Sequence, residues 1–247
     1  VIAPLMTKVM VYVMIRLMLT VFGLDYIFAE LDIAQAVVWL STIAIIAGGV
    51  MALAQRDIKK MAAYIIVSEI GYMVGGVWLG NKTGMTGSIL HIMNDAVMTF
   101  ALFLAAGNLA FKLRNVHFSS LENIFAKMPW TMTGFVLAAF SIIGVPPTCG
   151  FFSKWYLVLG GIEAGAYHFV AALIISSLIC AILFFRIFEI GFFSSDGHDR
   201  HGHSEGPEIA EAPVSMLVSL GVTSLFLIGL GLYSGVIVNR IIHPFLG

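Results

Sequence analysis

The chain has 247 residues, 60% of them hydrophobic and 11% charged, with a mean hydropathy of +0.98 and a formal net charge of −1. A soluble domain carries about 25% charged residues, so this composition defines an integral membrane protein with little mass outside the bilayer. The near-zero net charge gives no support for nucleic-acid binding, and Cys149 and Cys180 lack the spacing of a disulfide framework or a zinc site. The sequence opens at Val1 inside an apolar stretch, with no initiator methionine or signal peptide. It is therefore expected to form one membrane domain, residues 1–247, the C-terminal part of a longer subunit.

In chain order, the first span is expected over 1–22, carrying Lys8 and ending near Arg16. An acidic connection with Asp25, Glu30 and Asp32 leads to a second span over 37–54. Arg56, Asp57, Ile58, Lys59 and Lys60 make a compact basic turn. The third span, 61–79, has Glu69 at its centre and is followed by a small polar loop, 80–87, with Lys82. The fourth, 88–111, holds His91, Asn94 and Asp95, and a longer, basic, partly amphipathic connection occupies 112–128. An interrupted span covers 129–160, with Glu163 at its far end. The next covers 167–193, with Arg186 and Glu189 near its end, their spacing pointing to a local pair. A polar loop over 194–212 contains His198, His201 and His203; a solvated loop is the simpler reading, a divalent metal site the sharper one. The last span is expected over 213–238.

Each span meets the roughly 20 residues needed to cross the hydrocarbon core. The fold class is thus an all-α, polytopic transmembrane bundle of about seven spans, one of them broken. The basic connections at 56–60 and 112–127 lie two spans apart and share a side, which the positive-inside rule makes the cytoplasm. The acidic turn around Glu30 and the loop at 80–87 then face outwards. Counting the interrupted span as two crossings would give eight and move the His-rich loop outside. The uncharged Pro-Pro-Thr-Cys-Gly stretch favours seven.

The interruption is at Pro146 and Pro147. Consecutive prolines remove backbone donors and break a helix, and inside a bilayer the freed carbonyls must be satisfied by protein or by water in a cavity. Lys154 follows seven residues after Pro147. An ionisable group beside a broken helix is a device for building a polarisable site at mid-membrane depth; a kinked helix whose lysine snorkels to an interface is the alternative. Lys8, Glu69, His91, Asp95 and Lys154 all fall well inside spans. Each buried charge costs about 2.5–3.5 kcal/mol on insertion scales. His91 and Asp95, four apart, share one helical face. Apolar burial narrows the gap between charged and neutral forms, so such a row can pass protons between helices. Interhelical pairing, for instance Glu69 with Lys8, is the plainer account of any one of them. Close spacing such as Gly71 and Gly75 reads as helix packing.

Three runs, AQRDIKKMAAYIIVSEIGYM, HIMNDAVMTFALFLAAGNL and GVPPTCGFFSKW, occur in that order, and the chain closes on EAPVSMLVSLGVTSLFLIGLGLYSG. Together they resemble the antiporter-like membrane subunits of respiratory complex I and their relatives in multisubunit cation/proton antiporters and membrane-bound hydrogenases. The resemblance covers essentially the whole chain and implies helices eight to fourteen of a fourteen-helix core. It implies that Lys8 is the lysine of the eighth helix on a central hydrophilic axis, His91 a histidine of the eleventh, and Lys154 the ionisable residue beside the break of the twelfth. The chain departs from the family at Asp95, where many relatives have a second histidine, and at Thr99, where many have a lysine.

The function expected is proton translocation, or sodium/proton exchange, within a larger energy-converting complex of the bacterial or archaeal inner membrane. Partner membrane subunits would carry any redox chemistry, since no nucleotide, flavin, haem or iron–sulfur motif is visible and no cofactor or metal is expected here. A quinone- or haem-bearing electron carrier is the alternative, and would need facing histidines, for which only His91 and His168 lie within spans. A non-conducting scaffold is the third reading.

Overall fold

The computed structural model describes residues 2–24, 26–30, 33–113, 116–192 and 210–246. His198, His201 and His203 lie outside the described residues, as do Asp25 and Asp32. Among the described residues helices are joined by short turns and connections, with no strand and one isolated backbone bridge, between Asp57 and His117.

Helix α1 (Ile2–Leu17) runs on as a π-helical turn over Met18–Phe22, and α2 (Ala34–Leu53) follows. Asp57 then starts α3 (Ile58–Trp78): its carboxylate accepts hydrogen bonds from the backbone amides of Lys59 (2.9 Å) and Lys60 (3.1 Å), satisfying donors that a helix N-terminus leaves open. The longest helix, α4 (Lys82–Leu113), is the axis of the molecule and packs against α1, α3, both halves of the broken helix and the last long helix. A 3₁₀ turn (Phe118–Ser120) and the single turn α5 (Ile124–Lys127) lead into α6 (Pro129–Ile143) and α7 (Cys149–Glu163), the two halves of the broken span. Helices α8 (Tyr167–Phe192) and α9 (Val214–Leu232) complete the long elements.

Packing relies on small residues rather than on a water-driven core, as the bilayer requires. Gly71 and Gly75 of α3 face Ser41 and Ile45 of α2 and Phe169 of α8, where a Cβ would collide. Large apolar side chains such as Leu40, Ile43, Leu178 and Phe185 point outwards, as lipid-facing residues do.

The bundle has two distinct ends. At one, the basic turn is tied to the second basic connection: Ile58 N–H donates to Val116 O (3.2 Å) and Phe118 N–H to Arg56 O (2.9 Å). The guanidinium of Arg186 lies 5.5 Å from the Phe118 ring centroid in place of the expected pairing with Glu189, because this connection folds against α8 and offers an aromatic face. Glu211 lies at the same end and accepts from Trp130 N–H (2.9 Å) and Thr131 Oγ1 (2.6 Å) at the start of α6. At the other end, Thr83 Oγ1 donates to Glu163 (3.0 Å) and Asn81 Nδ2 to Gly160 O (2.7 Å). The broken span therefore starts at one end and finishes at the other, a single crossing. With six helices long and apolar enough to span a membrane, the count among the described residues is seven.

The last crossing extends further than the expected boundary at 238. After α9 the chain continues through α10 (Ser234–Ile237), a π-turn (Val238–Ile242) and α11 (His243–Leu246). Gly231, two residues before the interruption at Tyr233, meets the backbone of Pro147 and Thr148, so the two interrupted helices touch near their interruptions.

Candidate functional site

The broken helix is built from local sequence. Gly144 ends α6 in the left-handed region (φ 94°), a conformation glycine adopts without a Cβ penalty. Val145, Pro146 and Pro147 carry the chain across the gap, and Thr148 precedes the first turn of α7. Asn94 of α4 fastens that turn, its Nδ2 donating to Cys149 O (2.8 Å).

Lys154 turns back towards the break. Its ammonium donates to the carbonyl oxygens of Ile142 (2.6 Å) and Ile143 (3.5 Å), the last residues of α6, and to Ser177 Oγ of α8 (3.2 Å). The Tyr72 ring centroid lies 5.0 Å from Nζ, and Tyr72 OH donates to Ser176 Oγ (2.7 Å). A cation at a helix C-terminus interacts favourably with the macrodipole, and here it supplies donors to carbonyls that the prolines left open. With the residue 7% exposed, the snorkelling arrangement is not the one adopted.

His91 stands at the centre. Its Nε2 is 2.6 Å from Glu69 Oε2 of α3, its Nδ1 is 2.8 Å from Ser153 Oγ of α7, and the Tyr72 ring meets it edge-on at 5.4 Å. One turn along α4, Asp95 pairs with Lys8 of α1 (Oδ2–Nζ 2.7 Å), and the Lys8 ammonium donates a hydrogen bond to Thr99 Oγ1 (3.2 Å). Thr99 in turn donates to Asp95 O (2.6 Å). Lys8 thus pairs with Asp95 rather than with Glu69, whose carboxylate is engaged by His91. Asp95 and Thr99 are both partners of one lysine, Lys8.

All five ionisable residues singled out from the sequence come together from α1, α3, α4 and α7. They form a run: Lys8 to Asp95, one turn of α4 to His91, His91 to Glu69 and Ser153, and along one peptide to Lys154 at the break. Glu69, His91 and Asp95 are fully buried. The residues that sequence reasoning passed over are uncharged: Ser153, Tyr72, Ser176 and Ser177. The signal for Ser153 was its place beside Lys154, and for Tyr72 its position one turn after Glu69. His168, the other histidine considered as a ligand, stacks on Trp39 (3.9 Å between centroids) and is engaged away from His91.

A polytopic helical bundle with a buried row of ionisable groups ending at a broken helix defines a membrane protein with a charged interior. The family model described as NADH:quinone oxidoreductase/Mrp antiporter, TM, matches residues 1–180, and the chain belongs to this family. It is 39% identical over 249 residues to NADH-quinone oxidoreductase subunit N of Desulforudis audaxviator, covering 98% of this chain and 49% of that protein. Its fold superposes on the Mrp complex from Dietzia sp. DQ12-45-1b with a TM-score of 0.82 at 20% identity, covering 94% of this chain and 49% of that one. For respiratory complex I from Thermus thermophilus the TM-score is 0.75 at 21% identity, with 86% and 43% covered. At such identities these likenesses speak for the fold alone. The chain spans about half the length of the subunit N relative.

Proposed function

We propose that this protein translocates protons as a membrane subunit of a larger energy-converting assembly in a prokaryotic inner membrane. The observation that carries the reading is the buried row of ionisable groups from Lys8 to the helix break, joined by polar contacts at Lys8–Asp95, at Glu69–His91–Ser153 and at Lys154–Ile142, inside an otherwise apolar bundle. Two cations, Lys8 and Lys154, stand against two carboxylates, Asp95 and Glu69, so with His91 neutral the charged forms balance. A proton taken up at one group changes that balance and biases its neighbour to release one. Lys8, Asp95, His91 and Glu69 form the central relay, and Lys154 passes protons onward at the break. The likeness to NADH-quinone oxidoreductase subunit N supports partner membrane subunits for this chain.

The test is Lys154→Met in the complete subunit within its complex, reconstituted in liposomes. Proton pumping is expected to fall about tenfold or more while assembly persists. A Lys154→Met complex that pumps at the wild-type rate would remove the relay assignment and leave the scaffold reading.

A further inference from the structure

Ser153 sits between the two parts of the site, and the reading above gives it no role beyond its contact with His91. Its hydroxyl oxygen is 2.8 Å from His91 Nδ1 and 3.2 Å from Gly150 O, and the residue is fully buried. A hydroxyl has one proton to donate, so it serves one of these two acceptors at a time. The choice is dictated by His91. When Nδ1 carries no proton it accepts, and the Ser153 hydroxyl must point to it. When Nδ1 is protonated it donates to Ser153 Oγ, and the hydroxyl turns to Gly150 O. This holds whether His91 is doubly protonated or carries its single proton on Nδ1 with a protonated Glu69 donating to Nε2.

We propose that Ser153 is a positioning switch that transmits the protonation of His91 Nδ1 to the broken helix, an inference that rests on the proton-translocation reading. The step moves one proton onto Nδ1 and rotates one hydroxyl; no heavy-atom bond changes, and the reverse rotation accompanies release. Its effect is local to the first turn of α7. In an α-helix the Gly150 carbonyl also accepts the backbone amide of Lys154, and a serine bonding back to a carbonyl one turn earlier bends its helix. The turn has little room to absorb a bend elsewhere, because Gly150 is pressed against the Ser141 carbonyl of α6 so closely that no Cβ would fit. The bend is therefore expressed at Lys154, whose ammonium holds Ile142 O across the gap. The groups facing His91 are Glu69 and Tyr72 of α3 and Ser153 of α7, with Asp95 one turn away on its own helix and Lys8 behind it. Tyr72 also meets both the imidazole and Lys154, but through its ring; Ser153 is the one among them that hydrogen-bonds both the imidazole and the backbone of the broken helix.

The experiment uses the complete subunit in its complex. Ser153→Ala, a substitution helices favour, is expected to lower proton flux in liposomes by about tenfold or more, and Ser153→Thr, which keeps the hydroxyl, to restore most of it. A second readout follows the break itself: Val145→Cys, exposed in the gap, is labelled with N-ethylmaleimide while Cys149 and Cys180 are buried. Ser153→Ala and His91→Gln should change the labelling rate in the same direction, and the double variant should match either single one. Wild-type flux in Ser153→Ala, or additive changes in labelling, would overturn the switch. Failure of the relay reading looks different, since His91→Gln would then pump normally whatever Ser153 does.

Discussion

The Lys154 ammonium lies 2.6 Å from the carbonyl oxygen of Ile142, a residue on the opposite side of the proline break. One side chain thus satisfies the helix end that the prolines created and carries the titratable group beside it. The two roles separate by substitution. Lys154→Arg keeps a cation able to donate to Ile142 O but holds its proton at any physiological pH, so the complex should assemble with near-normal stability and lose pumping. Lys154→Met removes the donors as well and should cost about 1–3 kcal/mol in stability. Thermal unfolding in detergent, compared with flux in liposomes, distinguishes the two; equal loss of stability in both variants would refute the separation.

Lys8 and Asp95 form an ion pair within an apolar environment, where removing one partner strands the other. Lys8→Met or Asp95→Leu alone should destabilise by about 3–5 kcal/mol, and the double variant should recover much of that. A double-mutant cycle on unfolding midpoints measures the coupling. Simple addition of the two single losses would show that the pair contributes no mutual stabilisation.

The single crossing of the broken span predicts which residues share a side. Lys59 and Lys112 belong to the basic end and Glu163 to the opposite one. Cysteines placed at Lys59 and Glu163, probed with an impermeant thiol reagent, should label from opposite faces, with Lys59 cytoplasmic. Labelling of both from one face would mean that the break is a full turn.

Glu211 anchors the start of α6 from a remote part of the chain, accepting from Trp130 N–H and Thr131 Oγ1. Glu211→Ala removes a cap and should cost about 0.5–2 kcal/mol, with Glu211→Gln intermediate because its carbonyl oxygen can still accept. Hydrogen exchange of the α6 amides reports the loss; unchanged exchange in the alanine variant would mean that the cap does not hold the helix.

Much of this molecule could be read without its tertiary structure, because the relevant causes are local. Apolar runs of sufficient length must span, and Pro146 with Pro147 must break the helix they interrupt. Basic clusters at 56–60 and 112–127 had to share an end once the spans between them were counted. The identity of the buried ionisable residues was equally plain, since charge inside an apolar run is costly wherever the run packs. What the linear chain left open was who meets whom. Lys8 reaches Asp95 because α1 crosses α4 at that turn, and Glu69 reaches His91 because α3 lies against α4; both follow from the small-residue packing that sets the distance between helices. Ser153 offered no signal beyond its place beside Lys154, since a hydroxyl in a membrane helix is cheap and commonly bonds within its own turn. Its meaning arises only when folding carries His91 to 2.8 Å from it. The continuation of the last helix to Leu246 was likewise decided in three dimensions, where Gly231 meets the Pro147 backbone beside the other break.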